Sequence, residues 1–201
     1  MGKREENNRE RRQELISAAI KLISQKGYAD TSVSDITAEC GMSVGNFYHY
    51  FKSKDEIVAA AELDPASKEL EKLIRNKKLN ATEKLREYLH FYANSDRKLY
   101  GINFRKSWLS HLISDSETGS ENRIDKRKND IIRLISCGIE SGEFSKDIPA
   151  GEIAEEMVFT LYGACMYFAM KGSTFALTEW MDNHFEKIEH CLMKPYMLET
   201  Q

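Results

Sequence analysis

Apolar residues recur at three- and four-residue spacing along most of the chain, and two-residue alternation is hard to find, so the pattern predicts an all-α protein. The first clear stripe is Leu15, Ile16, Ala19, Ile20, Leu22 and Ile23, one face of a helix that follows a charged stretch over 1–13 and stops at Gly27. Residues 31–54, TSVSDITAECGMSVGNFYHYFKSK, carry the punctuation of two short helices meeting at a tight turn. Ser32 with Asp35 three positions later makes a box-like helix start. Gly41 supplies the left-handed residue that ends the first helix. Ser43 caps the second, expected over 43–50, with Met42 and Phe47 at the spacing of a hydrophobic staple. Two helices joined around a Gly form a helix-turn-helix, here at about 32–51.

Further along, Ile57, Val58, Ala60, Ala61 and Leu63 continue a helix toward Pro65, which is expected to end or kink it. Leu70, Leu73 and Ile74 read as a separate short amphipathic piece. Thr82 is the expected cap of a helix through Tyr92. Large residues crowd 99–113, and 114–122 reads as a flexible loop. A helix over 123–141 is expected to turn Ile131, Leu134, Ile135 and Ile139 inward and a basic stretch outward. Helices over 150–171 and 178–193 complete about nine. The predicted architecture is an N-terminal three-helix domain over 1–55 and a larger helical domain over 56–201.

The second helix of the pair has unusual surface chemistry. Phe47 and Phe51, four apart, share the inward face. Val44, Gly45, Asn46, Tyr48 and His49 are left on the other side, where a helix that only closes a core would carry Lys and Glu. Small residues followed by amide, hydroxyl and imidazole groups suit entry into the DNA major groove. The Tyr48 and Tyr50 hydroxyls and the Lys52 and Lys54 ammoniums can reach phosphates, as can the backbone N–H groups at the helix starts capped by Ser32 and Ser43.

Over residues 12–54 the chain resembles the DNA-binding domain of the TetR family of bacterial transcriptional regulators. The resemblance rests on Ala18-Ala19, Gly27, Thr31, Ile36, the run Gly41-Met42-Ser43-Val44-Gly45-Asn46-Phe47-Tyr48, Tyr50-Phe51 and Lys52-Ser53-Lys54. Ile23, Thr37 and Cys40 depart from the family's usual residues, all away from the expected DNA face. The resemblance implies a variable helical C-terminal domain that dimerises and holds a small ligand. Residues 157–170, MVFTLYGACMYFAM, give that some independent support: a helix apolar all round must be buried on both sides, by a second copy or by its own chain. Thr160, Ala164, Phe168, Trp180, Phe185 and Ile188 are the candidate interface residues of a homodimer. Phe91, Tyr92, Phe104, Trp108, Met157, Leu161 and Tyr162 are candidates for an effector pocket, and equally for plain core. The expected function is a ligand-responsive repressor that binds double-stranded DNA at a palindrome. The alternatives are a regulator of the same fold without a small-molecule effector, or an effector-binding protein that has lost DNA binding.

The formal charge of −3 over 201 residues excludes a protein that coats nucleic acid by bulk electrostatics. Residues 1–54 carry nine basic and seven acidic side chains, a net of +2 that leaves −5 for the remainder. Four cysteines without a Cys-x-x-Cys pair fit a reduced, cytoplasmic setting, with the thiols as small buried hydrophobes. His90, His111, His184 and His190 lack metal-ligand spacing, and no nucleophile–base arrangement or phosphate loop is present, so neither a metal, a cofactor nor an enzymatic activity is expected. The N-terminus has no apolar signal region, and the longest uncharged apolar run falls short of the ~18 residues of a membrane span.

Overall fold

The computed structural model describes residues 3–95, 101–114 and 120–199. Nine α-helices and no β-strand occur among the described residues. None of these helices is long and apolar enough to cross a membrane. The chain divides into two compact units, Met1–Pro65 with Asp96–Ser114, and Ala66–Ser95 with Asp115–Gln201.

In the first unit, α1 (Lys3–Lys26) buries Leu15, Ile16, Ala19 and Ile23 completely. Gly27 ends it at φ 88°, a left-handed value that favours glycine. The buried Thr31 hydroxyl donates to the Gly27 carbonyl at 2.7 Å and ties the turn down. Two short helices follow, α2 (Val33–Glu39) and α3 (Val44–Tyr50). Helix α4 (Lys54–Arg75) adds Ile57, Val58 and Ala61 to this core. Helix α6 (Gly101–Ser114) packs on α1, where Phe104 is buried and the Asn103 amide donates to the Ser24 carbonyl at 3.2 Å.

Pro65 corrects one expectation: α4 neither ends nor breaks there but runs on to Arg75, absorbing Leu70, Leu73 and Ile74 into the same helix. A proline inside a helix forfeits one backbone bond, a cost of ~3 kcal/mol. Burial of Ala60, Ala61, Ala66 and Leu70 on both sides of it opposes that cost.

In the second unit, α5 (Ala81–Ser95) packs on α7 (Ser120–Ser141) and α9 (Leu177–Ile188), and α7 packs on α8 (Ala150–Lys171). Thr82 is not the cap of α5. Asn80 is: its side chain accepts from the Glu83 N–H, and its own N–H donates to the Glu83 carboxylate, both at 2.8 Å. Helix α7 already begins at Ser120, and residues 115–119 of the expected loop lie outside the described residues.

The basic side of α7 is also corrected. Arg123 and Arg127 are 5% and 0% exposed, because they fall on the same stripe as Ile131 and Leu134. Arg127 donates to the Tyr88 hydroxyl at 2.6 Å and to Asp130 at 3.1 Å, while Tyr88 donates to Asp130 at 2.6 Å. The guanidinium lies 4.3 Å from the Tyr92 ring centroid. Burial holds the Tyr88 hydroxyl well above its ordinary pKa, so it remains a donor. Of the thiols, Cys165 is buried, Cys40 and Cys137 are half-buried, and Cys191 is exposed, contrary to the expectation for that last one.

Beyond Ile188 the last helix continues as a π-turn over Glu189–Met193 and a 3₁₀ turn over Lys194–Tyr196. The tail then bridges back, with Met197 opposite Phe144. This corner depends on Gly138. A Cβ there would lie 2.2 Å and 2.4 Å from Phe144 ring carbons and 2.8 Å from the Ala81 Cβ. Gly138→Ala is expected to destabilise the protein by about 2–3 kcal/mol in urea denaturation, through overpacking. A loss below ~0.5 kcal/mol would contradict the packing described.

Candidate nucleic-acid interface

The helix-turn-helix is built from local capping. The Ser32 hydroxyl accepts from the Asp35 N–H at 3.0 Å, and the Ser32 N–H donates to the Asp35 carboxylate at 2.8 Å, a complete capping box. Lys26 adds an ion pair to Asp35 at 2.9 Å. That ammonium, with the Ser32 N–H behind it, holds the Asp35 carboxyl well below the usual carboxylate range. At the other end of α2, Gly41 has φ 64°; its N–H reaches the Ala38 carbonyl, and the Met42 N–H reaches the Thr37 carbonyl. This is a Schellman ending, which sets the direction in which α3 leaves. Ser43 then caps α3, its hydroxyl accepting from the Asn46 N–H at 3.2 Å.

Burial decides how α3 is rotated. Phe47 and Phe51 are 0% and 1% exposed, with ring centroids 5.7 Å apart. Arg12 covers the far side of Phe51, its guanidinium 5.0 Å from the ring centroid. The opposite face is open: Val44 is 41% and Tyr48 57% exposed, and Gly45, Asn46 and His49 are exposed beside them. Tyr48 rests edge-on against Phe47, which supports its exposed ring. Ser32, Ser43 and Lys52 are exposed as well, whereas Tyr50 and Lys54 are half-buried.

Lys54 has a task that its sequence position does not disclose. Its ammonium donates to the Tyr28 and Thr31 carbonyls, each at 2.7 Å, and sits 3.8 Å from the Tyr28 ring centroid. Tyr28 in turn donates to Asp55 at 2.7 Å. Lys54 therefore fastens the α1–α2 turn to the start of α4, using two of its three donors. Burial lowers its pKa. Lys21–Glu39, like Lys26–Asp35, ties α2 to α1 across the turn. No local spacing signals these pairs, because their members meet only after the two helices have folded back.

A protein-family model described as "Bacterial regulatory proteins, tetR family" matches residues 15–61, the stretch that builds this site. Residues 15–61 thus carry the DNA-binding module of tetR-family bacterial regulators. That module is a helix-turn-helix, the one formed by α2 and α3. The uncharacterized HTH-type transcriptional regulator YerO of Bacillus subtilis is 40% identical over 52 residues, which is 26% of this chain and only 18% of that protein's length. The fatty acid metabolism regulator protein of Bacillus subtilis is 24% identical over 155 residues, 73% of this chain and 76% of that one. Among solved structures, the fatty acid degradation regulator FadR of Bacillus halodurans matches 90% of this chain and 95% of its own, with a TM-score of 0.68 at 20% identity. FadR of Bacillus subtilis, solved in complex with stearoyl-CoA, matches 88% and 96%, with a TM-score of 0.63 at 20% identity. At that identity the two structures speak for the fold.

The residues expected at a partner or effector surface fall in several places. Of the interface candidates, Ala164, Phe168, Phe185 and Ile188 turn into their own unit at 7% exposure or less, and Thr160 and Trp180 are half-buried. The outward stripe of α8 is instead Phe159, Met166, Tyr167 and Met170, at 62%, 49%, 46% and 74% exposure, with Gly163 between them. At 100° per residue those positions lie opposite Met157, Leu161 and Cys165. Trp180 stacks on His184 at 4.6 Å beside this stripe, edging a cleft of about 710 Å³ between α8 and α9. Of the effector candidates, Tyr92, Met157 and Leu161 are buried in the second unit, where Phe91 and Tyr162 are half-buried. Phe104 is buried in the first unit, and the Trp108 side chain lies outside the described residues.

Gly45 links fold to site. It has room for a Cβ, which would meet nothing nearer than the Ser43 hydroxyl at 3.8 Å, so the fold does not require a glycine there. The missing side chain leaves the backbone open there. Gly45→Ala is expected to stabilise the protein by about 0.5–1 kcal/mol, yet to weaken operator binding by about tenfold or more. Unchanged operator affinity, read by fluorescence anisotropy, would remove this face from the interface.

Proposed function

We propose that the protein is a homodimeric, ligand-responsive repressor that acts in the cytoplasm on palindromic operators. In this reading residues 1–55 are the reading head and 56–201 the regulatory and dimerising part. The observation that carries it is the pairing of two exposed surfaces of different chemistry: the small-and-polar face of α3, and the apolar outward stripe of α8. The first suits base edges, with Val44, Gly45 and Asn46 entering the groove and Tyr48, His49, Tyr50, Lys52 and Lys54 reaching toward the backbone. The helix starts capped by Ser32 and Ser43 contribute N–H groups to phosphates.

The α8 stripe is the dimer surface. Exposed large apolar side chains around a glycine suit a second copy packed closely against it, with Thr160 and Trp180 at its edge. Two heads about one DNA turn (~34 Å) apart would double the contacts of either alone. That doubling lets a protein of net charge −3 hold DNA through local phosphate contacts. The effector is a small molecule bound by the part over 56–201; a similar regulator solved with stearoyl-CoA makes acyl thioesters the first class to test. Effector binding represses or releases DNA by shifting the population of head arrangements.

The test is a full-length Phe159→Glu/Met170→Glu variant. It is expected to sediment as a monomer, to keep its helical circular dichroism, and to lose operator affinity about 100-fold as the second head is lost. A dimer of unchanged affinity would sink the assignment of this stripe.

A further inference from the structure

The second unit holds a cleft of about 580 Å³ beside the N-terminus of α5, lined by none of the side chains assigned above to DNA, partner or effector. Lys77, Lys78 and Lys84 meet there with a single acid, Glu143, and Leu79 and Leu198 supply an apolar wall. Glu143 does not neutralise the lysines. Its carboxylate accepts from the Ala81 N–H, the Thr82 N–H at 3.0 Å and the Thr82 hydroxyl, closing off the first turn of α5.

Lys84 is the telling residue. It is only 8% exposed, yet no hydrogen bond or ion pair reaches its ammonium among the described residues. A lysine normally buries its stem and carries its charge to water. Lys84 follows that pattern, and the cleft that it lines is the outlet for its ammonium. Lys77 and Lys78 are exposed at the same cleft and likewise carry no ion pair among the described residues. The result is three positive charges converging on a concave, partly apolar space whose one carboxylate is already engaged.

We propose that this cleft binds a small organic anion, its multivalent phosphate or carboxylate group held by Lys77, Lys78 and Lys84 and its apolar portion against Leu79 and Leu198. Binding there gives the regulator an input distinct from the effector reading above, and it stands whether or not that reading does.

The experiment is thermal unfolding of the full chain with inorganic pyrophosphate in one arm and citrate in the other, ionic strength being held constant with sodium chloride. A saturable rise in Tm of about 3–6 °C at ten times Kd is expected in at least one arm. The arm that responds identifies phosphate or carboxylate as the preferred charge. Lys84→Met is expected to fold normally and to abolish the anion-dependent rise. Lys77→Gln/Lys78→Gln should fold normally and bind the probe about tenfold more weakly, with operator affinity unchanged in both variants. The proposal is overturned by the absence of a saturable rise in both arms, or by a rise that survives Lys84→Met. It is also overturned if Lys77→Gln/Lys78→Gln weakens DNA binding across sequences with a shallower salt slope, which would assign those lysines to DNA phosphates.

Discussion

Burial of Phe47 and Phe51 is the constraint on which the exposed face of α3 depends. Placed one helical turn apart and almost fully removed from water, the two rings leave α3 a single rotation about its axis. With that rotation set, Val44, Gly45, Asn46, Tyr48 and His49 have nowhere to go but outward. The caps on either side fix where the helix starts and in which direction it leaves the turn: Ser43 at its head, Gly41 and the Schellman bonds before it. Lys54, pinned between two carbonyls and the Tyr28 ring, holds the other end of the head together. The polar surface is thus the by-product of an apolar decision.

In the second unit the same logic works with a different remainder. Helix α8 buries Met157, Leu161, Ala164, Cys165 and Phe168 against its own chain, and what is left over is apolar rather than polar. A monomer gains nothing from exposing Phe159 and Met170, and Gly163 between them is not required by any neighbour within 4 Å. The buried Arg127–Asp130–Tyr88 cluster is the counter-example, a polar group drawn inside where its members bond one another. Such a cluster constrains how α5 and α7 pack more strictly than apolar contact alone.

Much of this was legible in the residues because its causes are local. Caps, a left-handed glycine and an i, i+4 pair of phenylalanines act within one or two turns of helix, so 31–54 could be read almost residue by residue. What escaped reading depends on meetings between distant segments. Pro65 should end a helix on local grounds, but burial on both sides of it opposes the local cost. Arg123 and Arg127 belong to a basic stretch in sequence and to a core in space, which only the position of Tyr88 and Asp130 explains. The face of α8 that turns inward was likewise undetermined, because a helix apolar all round carries no periodic signal to choose a side. Residues expected at an interface, Phe168, Phe185 and Ile188 among them, therefore proved to be core.

The central claim is that α3 is one reading head of a symmetric pair. Selection of bound DNA from a random pool by the full-length protein tests it most directly. The account predicts an inverted repeat whose half-sites lie about one helical turn, 10–10.5 base pairs, apart or slightly more. Recovery of single, unrepeated sites, or of no common sequence at all, would contradict it.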